Sequence, residues 1–102
     1  MEKDERFDAQ KTLTLIILEL RRLHKEMHPY LTGEETNHIQ HLNKAKEYVL
    51  FADLARTAHR MIYHNDSMAV SRFWKCALLL TGHKISPELK NQLNLFDRGR
   101  RQ

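Results

Sequence analysis

A chain of 102 residues, 41% hydrophobic and 29% charged, is long enough to bury one core and too short for a second. Its single cysteine, Cys76, excludes an internal disulfide framework, and the longest apolar run, Leu15 to Leu18, is too short to span a bilayer. Met1 to Glu5 lacks the basic and apolar regions of a signal peptide, so a cytoplasmic location is expected; the net charge of +4 suits solubility alone or an anionic partner.

Three glycines, two prolines and the absence of strand-like alternation predict an all-α fold, a small bundle of three long helices with a short C-terminal helix and tail. The expected organisation is a helical body over residues 1–85 and a short helix with a basic tail over 86–102. The first helix is predicted from Asp8 to His28, with Leu13, Ile16, Ile17, Leu20, Leu23 and Met27 as its apolar stripe and Pro29 as its stop. Thr32 and Glu35 have capping-box spacing for a second helix running to about Tyr63. One stripe of that helix holds Ile39, Leu42, Ala45, Val49, Ala52, Ala55 and Ile62; Tyr48, Phe51, Leu54, Ala58 and Met61 widen it, which predicts a central helix buried on more than one side. Asn65 or Asp66 caps a third helix from Ser67 to about Thr81, with Val70, Phe73, Trp74, Ala77, Leu78 and Leu80 facing the core and Gly82 as its stop. Ser86-Pro87-Glu88 restarts a fourth, expected to fade after Phe96.

Little in the chain suggests catalysis. There is no Gly-rich phosphate loop, no carboxylate pair, and the Arg56–His59 and Arg60–His64 intervals are shorter than the Arg-to-His spacing of the helical ribonucleases they loosely resemble. The expectation is a protein that is not an enzyme and has no cofactor. Seven histidines include two pairs with helical ligand spacing, His24 with His28 and His38 with His41. Each pair shares a helix face, the arrangement a zinc ion uses, although helix-end histidines in contact with water have the same spacing. Glu19, Glu26, Glu34, Glu35 and Glu47 read as solvated, and Cys76 as a buried small hydrophobe. Arg56, Arg60, Arg72 and Lys75, with Trp74 between the last two and Arg98, Arg100 and Arg101 near the end, form a candidate nucleic-acid surface.

The most specific segment is Gln92-Leu93-Asn94-Leu95-Phe96, followed by Asp97. It resembles the Gln-Leu-(Ser/Asp)-Leu-Phe pentapeptide by which bacterial replication and repair proteins dock onto the ring-shaped sliding clamp of the replicative polymerase. With Asp97 it is closest to the clamp-binding segment of SOS-induced Y-family translesion polymerases. The resemblance covers these six residues only. It implies that Leu95 and Phe96 enter a hydrophobic cleft, that Gln92 anchors beside it, that Leu93 adds apolar contact, and that the clamp is the partner. Three readings follow: a clamp-binding modulator of replication or repair, of bacterial, phage or plasmid origin; a basic helical regulator that binds nucleic acid; and a homo-oligomeric structural subunit. In the last two, Leu89, Leu93 and Phe96, spaced i, i+4, i+7, simply close the core.

Overall fold

The carboxylate of Asp8 accepts the Lys11 N–H at 3.1 Å and starts the first helix; Asn37 does the same for Gln40 and Asp66 for Met68. In a computed structural model that describes residues 6–101, with only the backbone of 100 and 101, these caps open α1 (Ala9–Leu31), α2 (His38–Tyr63) and α3 (Ser67–Leu79). The last helix, α4 (Pro87–Arg101), begins where Ser86 Oγ accepts the Leu89 N–H at 3.3 Å. No strand occurs among the described residues, and the all-α expectation holds.

α1 and α2 form an antiparallel hairpin, as their cross-links descend in opposite order: Arg22 to Glu47, Glu26 to Lys44, Tyr30 to Gln40. α2 is the central helix and packs on both α1 and α3. At its end Asn65 takes a positive φ of 46° and the chain doubles back, so that α3 follows the second half of α2 and His83 returns to within 3.9 Å of Glu47. Gly82, at φ +91°, makes the next turn in a conformation that L side chains rarely adopt, and α4 then closes over α1 and α3. One core results, built from Ile16, Leu23, Phe51, Leu54, Ala58, Phe73, Leu80, Leu89 and Phe96. It lies wholly at one end of the hairpin: between Leu23 and Phe51 no residue is buried.

Several sequence expectations need correction. Pro29 does not end α1. Its missing N–H costs one helical bond near the C-terminus, and the helix runs on until Thr32, whose N–H donates to the His28 carbonyl at 3.0 Å. The Thr32 hydroxyl also turns back to His28 and the Glu35 N–H goes to the Pro29 carbonyl, so these two residues form no capping box; Asn37 is the cap. Of the two α2 stripes, the widening one (Phe51, Leu54, Ala58) is the core, whereas Ile39, Leu42 and Val49 lie in solvent at 74, 54 and 56% exposure. Ile17 and Leu78 are likewise exposed, whereas Thr12 and Ala69 on the same helices are buried. α4 does not fade at Phe96 but continues to Arg101.

Candidate functional site

The six residues that resemble the clamp motif lie in the middle of α4, and that helix is docked. Leu89 is fully buried on its inner face, followed over the next two turns by Gln92, Leu95 and Phe96 at 4, 9 and 8% exposure. Leu93 is half-buried and Asn94 exposed. The Phe96 ring meets Phe7 edge-on at 5.0 Å and Phe73 at 4.8 Å, an aromatic triad joining the start of α1, α3 and α4. Gln92 is the polar member of the same contact. Its Oε1 accepts the Asp8 N–H at 2.9 Å and lies 3.2 Å from the Thr12 hydroxyl, which also reaches the Asp8 carbonyl at 2.7 Å. Asp8 belongs to the start of α1, where backbone N–H groups have no helical acceptor, so Gln92 satisfies a donor that the helix cannot. Asp97 accepts the Trp74 indole N–H at 3.2 Å and fastens the far half of α4 to α3.

Outside these contacts a cleft of about 540 Å³ opens between the end of α3, the 81–86 loop and α4. Trp74, Leu80, Ile85, Leu93 and Phe96 give it an apolar lining, with Lys84 and Lys90 beside them. Trp74 is half-buried and bonded to Asp97, so its ring is a wall of this cleft and not a free stacking platform.

The basic residues form a second constellation. Arg56, His59, Arg60 and His64 on the last turns of α2, with Asp66, line a hollow of about 470 Å³. Their acidic neighbours hold them loosely: Arg56 is 3.8 Å from Asp53 and Arg60 is 3.8 Å from Asp66, all four with water access. Arg72 and Lys75 are exposed on α3 but do not line this hollow, and Arg98 is exposed on α4. The side chains of Arg100 and Arg101 lie outside the described residues. The His59 ring meets Tyr63 at a tilt of 42° with centroids 4.6 Å apart and is 5.9 Å from the His64 ring. The sequence paired Arg56 with His59 and Arg60 with His64 by spacing; it gave no sign that the two pairs would meet in one hollow.

The two histidine pairs sit near the α1–α2 turn as their spacing implies, but the structure does not gather them into a ligand set. His24, His28 and His38 are exposed, and His41 lies flat against Tyr30 at 5.2 Å and 6°. Among the described residues no three His, Cys, Asp or Glu side chains come together as a metal site. Cys76 is half-buried; burial, with the charge of Asp53, pushes its thiol above the ordinary value, which makes it a poor nucleophile at neutral pH.

Sequence reasoning missed one polar cluster entirely. Glu19, expected in solvent, is buried, and Arg22 reaches it at 3.1 Å while also bridging Glu26 and Glu47. Burial works against the Glu26 carboxylate, but the hydrogen bond from Lys44 and the charge of Arg22 outweigh it and hold the group below its usual pKa. The i, i+3 and i, i+4 spacing of Glu19, Arg22 and Glu26 was the available signal. The cluster braces α1 against α2 and presents nothing to a ligand. No helix among the described residues is long and apolar enough to cross a membrane. No family model, curated protein or solved structure matches this chain.

Proposed function

We propose that the protein is a non-catalytic interaction protein that binds the bacterial sliding clamp through Gln92 to Phe96, with α4 docked at rest and released to bind. The observation that carries this reading is the motif itself, four of five positions identical to the clamp pentapeptide in one continuous segment. Its side chains already perform at home the tasks the motif performs on a clamp: Leu95 and Phe96 fill an apolar site, and Gln92 makes the polar anchor beside it. The two uses exclude each other, because a buried Phe96 has no surface left for a partner. Docking therefore acts as a latch. If closure favours the docked form by about 3 kcal/mol, the competent fraction is below one per cent and the apparent clamp affinity falls by roughly 150-fold.

Calorimetric titration of the whole protein into clamp tests this, with Trp74 emission recorded in parallel. Trp74 is the sole tryptophan and contacts α4 through Asp97, so release should shift its emission to the red as clamp is added. Binding heat with no Trp74 change would mean that the clamp is met by another surface. No binding at high-micromolar clamp would leave the pentapeptide a core segment only.

A second reading has its own observation, the convergence of Arg56, Arg60, His59 and His64 on one hollow. In that version the protein is a nucleic-acid-binding regulator, and α4 only closes the core. Binding to DNA or RNA should then weaken steeply with salt, and Arg56→Ala and Arg60→Ala should each reduce the log–log slope by about 0.7 to 0.9. A salt-independent complex, or none at low salt, would remove it.

A further inference from the structure

We infer that the exposed face of α2 in the α1–α2 hairpin is a two-fold interface, and that its occupant is the same face of a second copy of this chain. Ile39, Leu42, Lys46 and Val49 recur at spacings of three, four and three residues, the a and d positions of a coiled-coil seam, and the three apolar members are each more than half exposed. Neither α3 nor α4 accounts for this stripe, since no residue of the hairpin between Leu23 and Phe51 is buried. The same α2 segment turns Tyr48 and Leu50 toward the core, so the stripe is surplus to the fold of one chain.

The charges on the stripe select the arrangement. In a parallel pair Lys46 would face Lys46 and Asp53 would face Asp53, two like-charge layers in one seam. An antiparallel pair can set Ile39 against the partner's Val49 and Leu42 against the stem of the partner's Lys46. By symmetry that gives four consecutive layers, with each ammonium free to reach water.

The available surface is sufficient. The chain exposes 7654 Å², whereas a compact monomer of this mass exposes about 6,100 Å². The surplus of this one chain exceeds the roughly 800 Å² that each partner contributes to a standard interface. The radius of gyration, 15.2 Å, also exceeds the ~13 Å of a compact chain of this length. Packing two hairpins against each other would give their open ends the third and fourth helices that they lack within one chain.

Sedimentation equilibrium of the whole protein between 5 and about 500 µM tests the proposal. The expected mass is twice the monomer's 12.2 kDa, returning to one monomer mass in an Ile39→Asp/Leu42→Asp variant whose circular dichroism is unchanged. Both residues are exposed, so the variant is expected to fold. Leu78→Asp/Leu79→Asp, which charges exposed leucines of α3, serves as the control and should remain dimeric. A wild-type monomer throughout the range, or a dimer that survives the α2 change, would overturn the assignment. A dimer dissolved only by the α3 change would move the interface elsewhere and overturn it equally.

Discussion

Phe7→Ala separates the two uses of α4, because Phe7 lies outside the clamp-like segment yet forms one wall of the Phe96 site. Truncating a fully buried Phe costs about 3 to 5 kcal/mol. Phe7 is half-buried, so roughly half that, about 2 kcal/mol, is expected here, including the edge contact with Phe96 at 5.0 Å. The part of this loss that falls on α4 docking lies between about 1 and 2 kcal/mol, which raises the open fraction roughly 5- to 30-fold. With the motif untouched, apparent clamp affinity should rise by that factor while the protein becomes less stable. Leu95→Ala/Phe96→Ala should also destabilise the protein but abolish clamp binding. Calorimetric titration of wild type and both variants, with thermal melts, supplies both numbers. The reasoning fails if Phe7→Ala binds no tighter than wild type, since a latch must bind better when loosened. If nothing binds and both variants merely melt lower, the pentapeptide belongs to the core alone.

Three further outcomes follow from the geometry. Gln92→Ala leaves the Asp8 N–H without its acceptor inside the α1–α4 contact and should cost about 1 to 3 kcal/mol in denaturant unfolding; an unchanged midpoint would mean that water replaces the side chain freely. Arg22→Met strands the buried Glu19 carboxylate and should cost about 1 to 2 kcal/mol at neutral pH, discounted because Arg22 is itself partly in water. The difference from wild type should narrow in acid: Glu26 sits below its ordinary pKa of 4.5, so its contribution is present above that pH and disappears as pH falls through the lowered value. A gap constant from pH 7 to pH 3 would refute the cluster's electrostatic role. Cys76 should react with iodoacetamide at pH 7.5 more slowly than a free cysteine, because burial and Asp53 suppress its thiolate; equal rates would show the thiol to be open to solvent.

The parts of this fold that were legible in the sequence are those fixed by local chemistry. Asp66, one of two candidates, and Ser86 announced themselves as caps, and the widened stripe of α2 marked it as the central helix. What escaped was set by tertiary context. Periodicity cannot say which of two adjacent stripes faces the core, and the one at Ile39, Leu42 and Val49 proved to be the outer one. Pro29 broke no helix because it lies within one turn of an end that Thr32 closes. Gln92 illustrates the limit most sharply. The resemblance of its segment implied a polar anchor for a partner, and the acceptor is used instead by the start of α1, 84 positions away in sequence.

That coincidence bears on how a short motif should be weighed. A helix that closes a small core needs large apolar residues on its inner face, and where it crosses another helix's N-terminus it needs one acceptor there. Gln92, Leu95 and Phe96 meet both demands at spacings of three and one, so the fold alone is enough to select these residue types. It does not select Leu93 and Asn94, which are half-buried and exposed but still match or approximate the clamp pattern. The two uses therefore diverge at Leu93. Leu93→Gln should cost folding only about 1 kcal/mol, because the side chain is half-buried at the edge of the core, where it lines the cleft. If the segment is a clamp ligand, the same change should weaken clamp binding severalfold in a Phe7→Ala background, where the latch is already open. Equal binding with and without Leu93 would show that the likeness at that position has no function, and the match would shrink to the residues that the core requires.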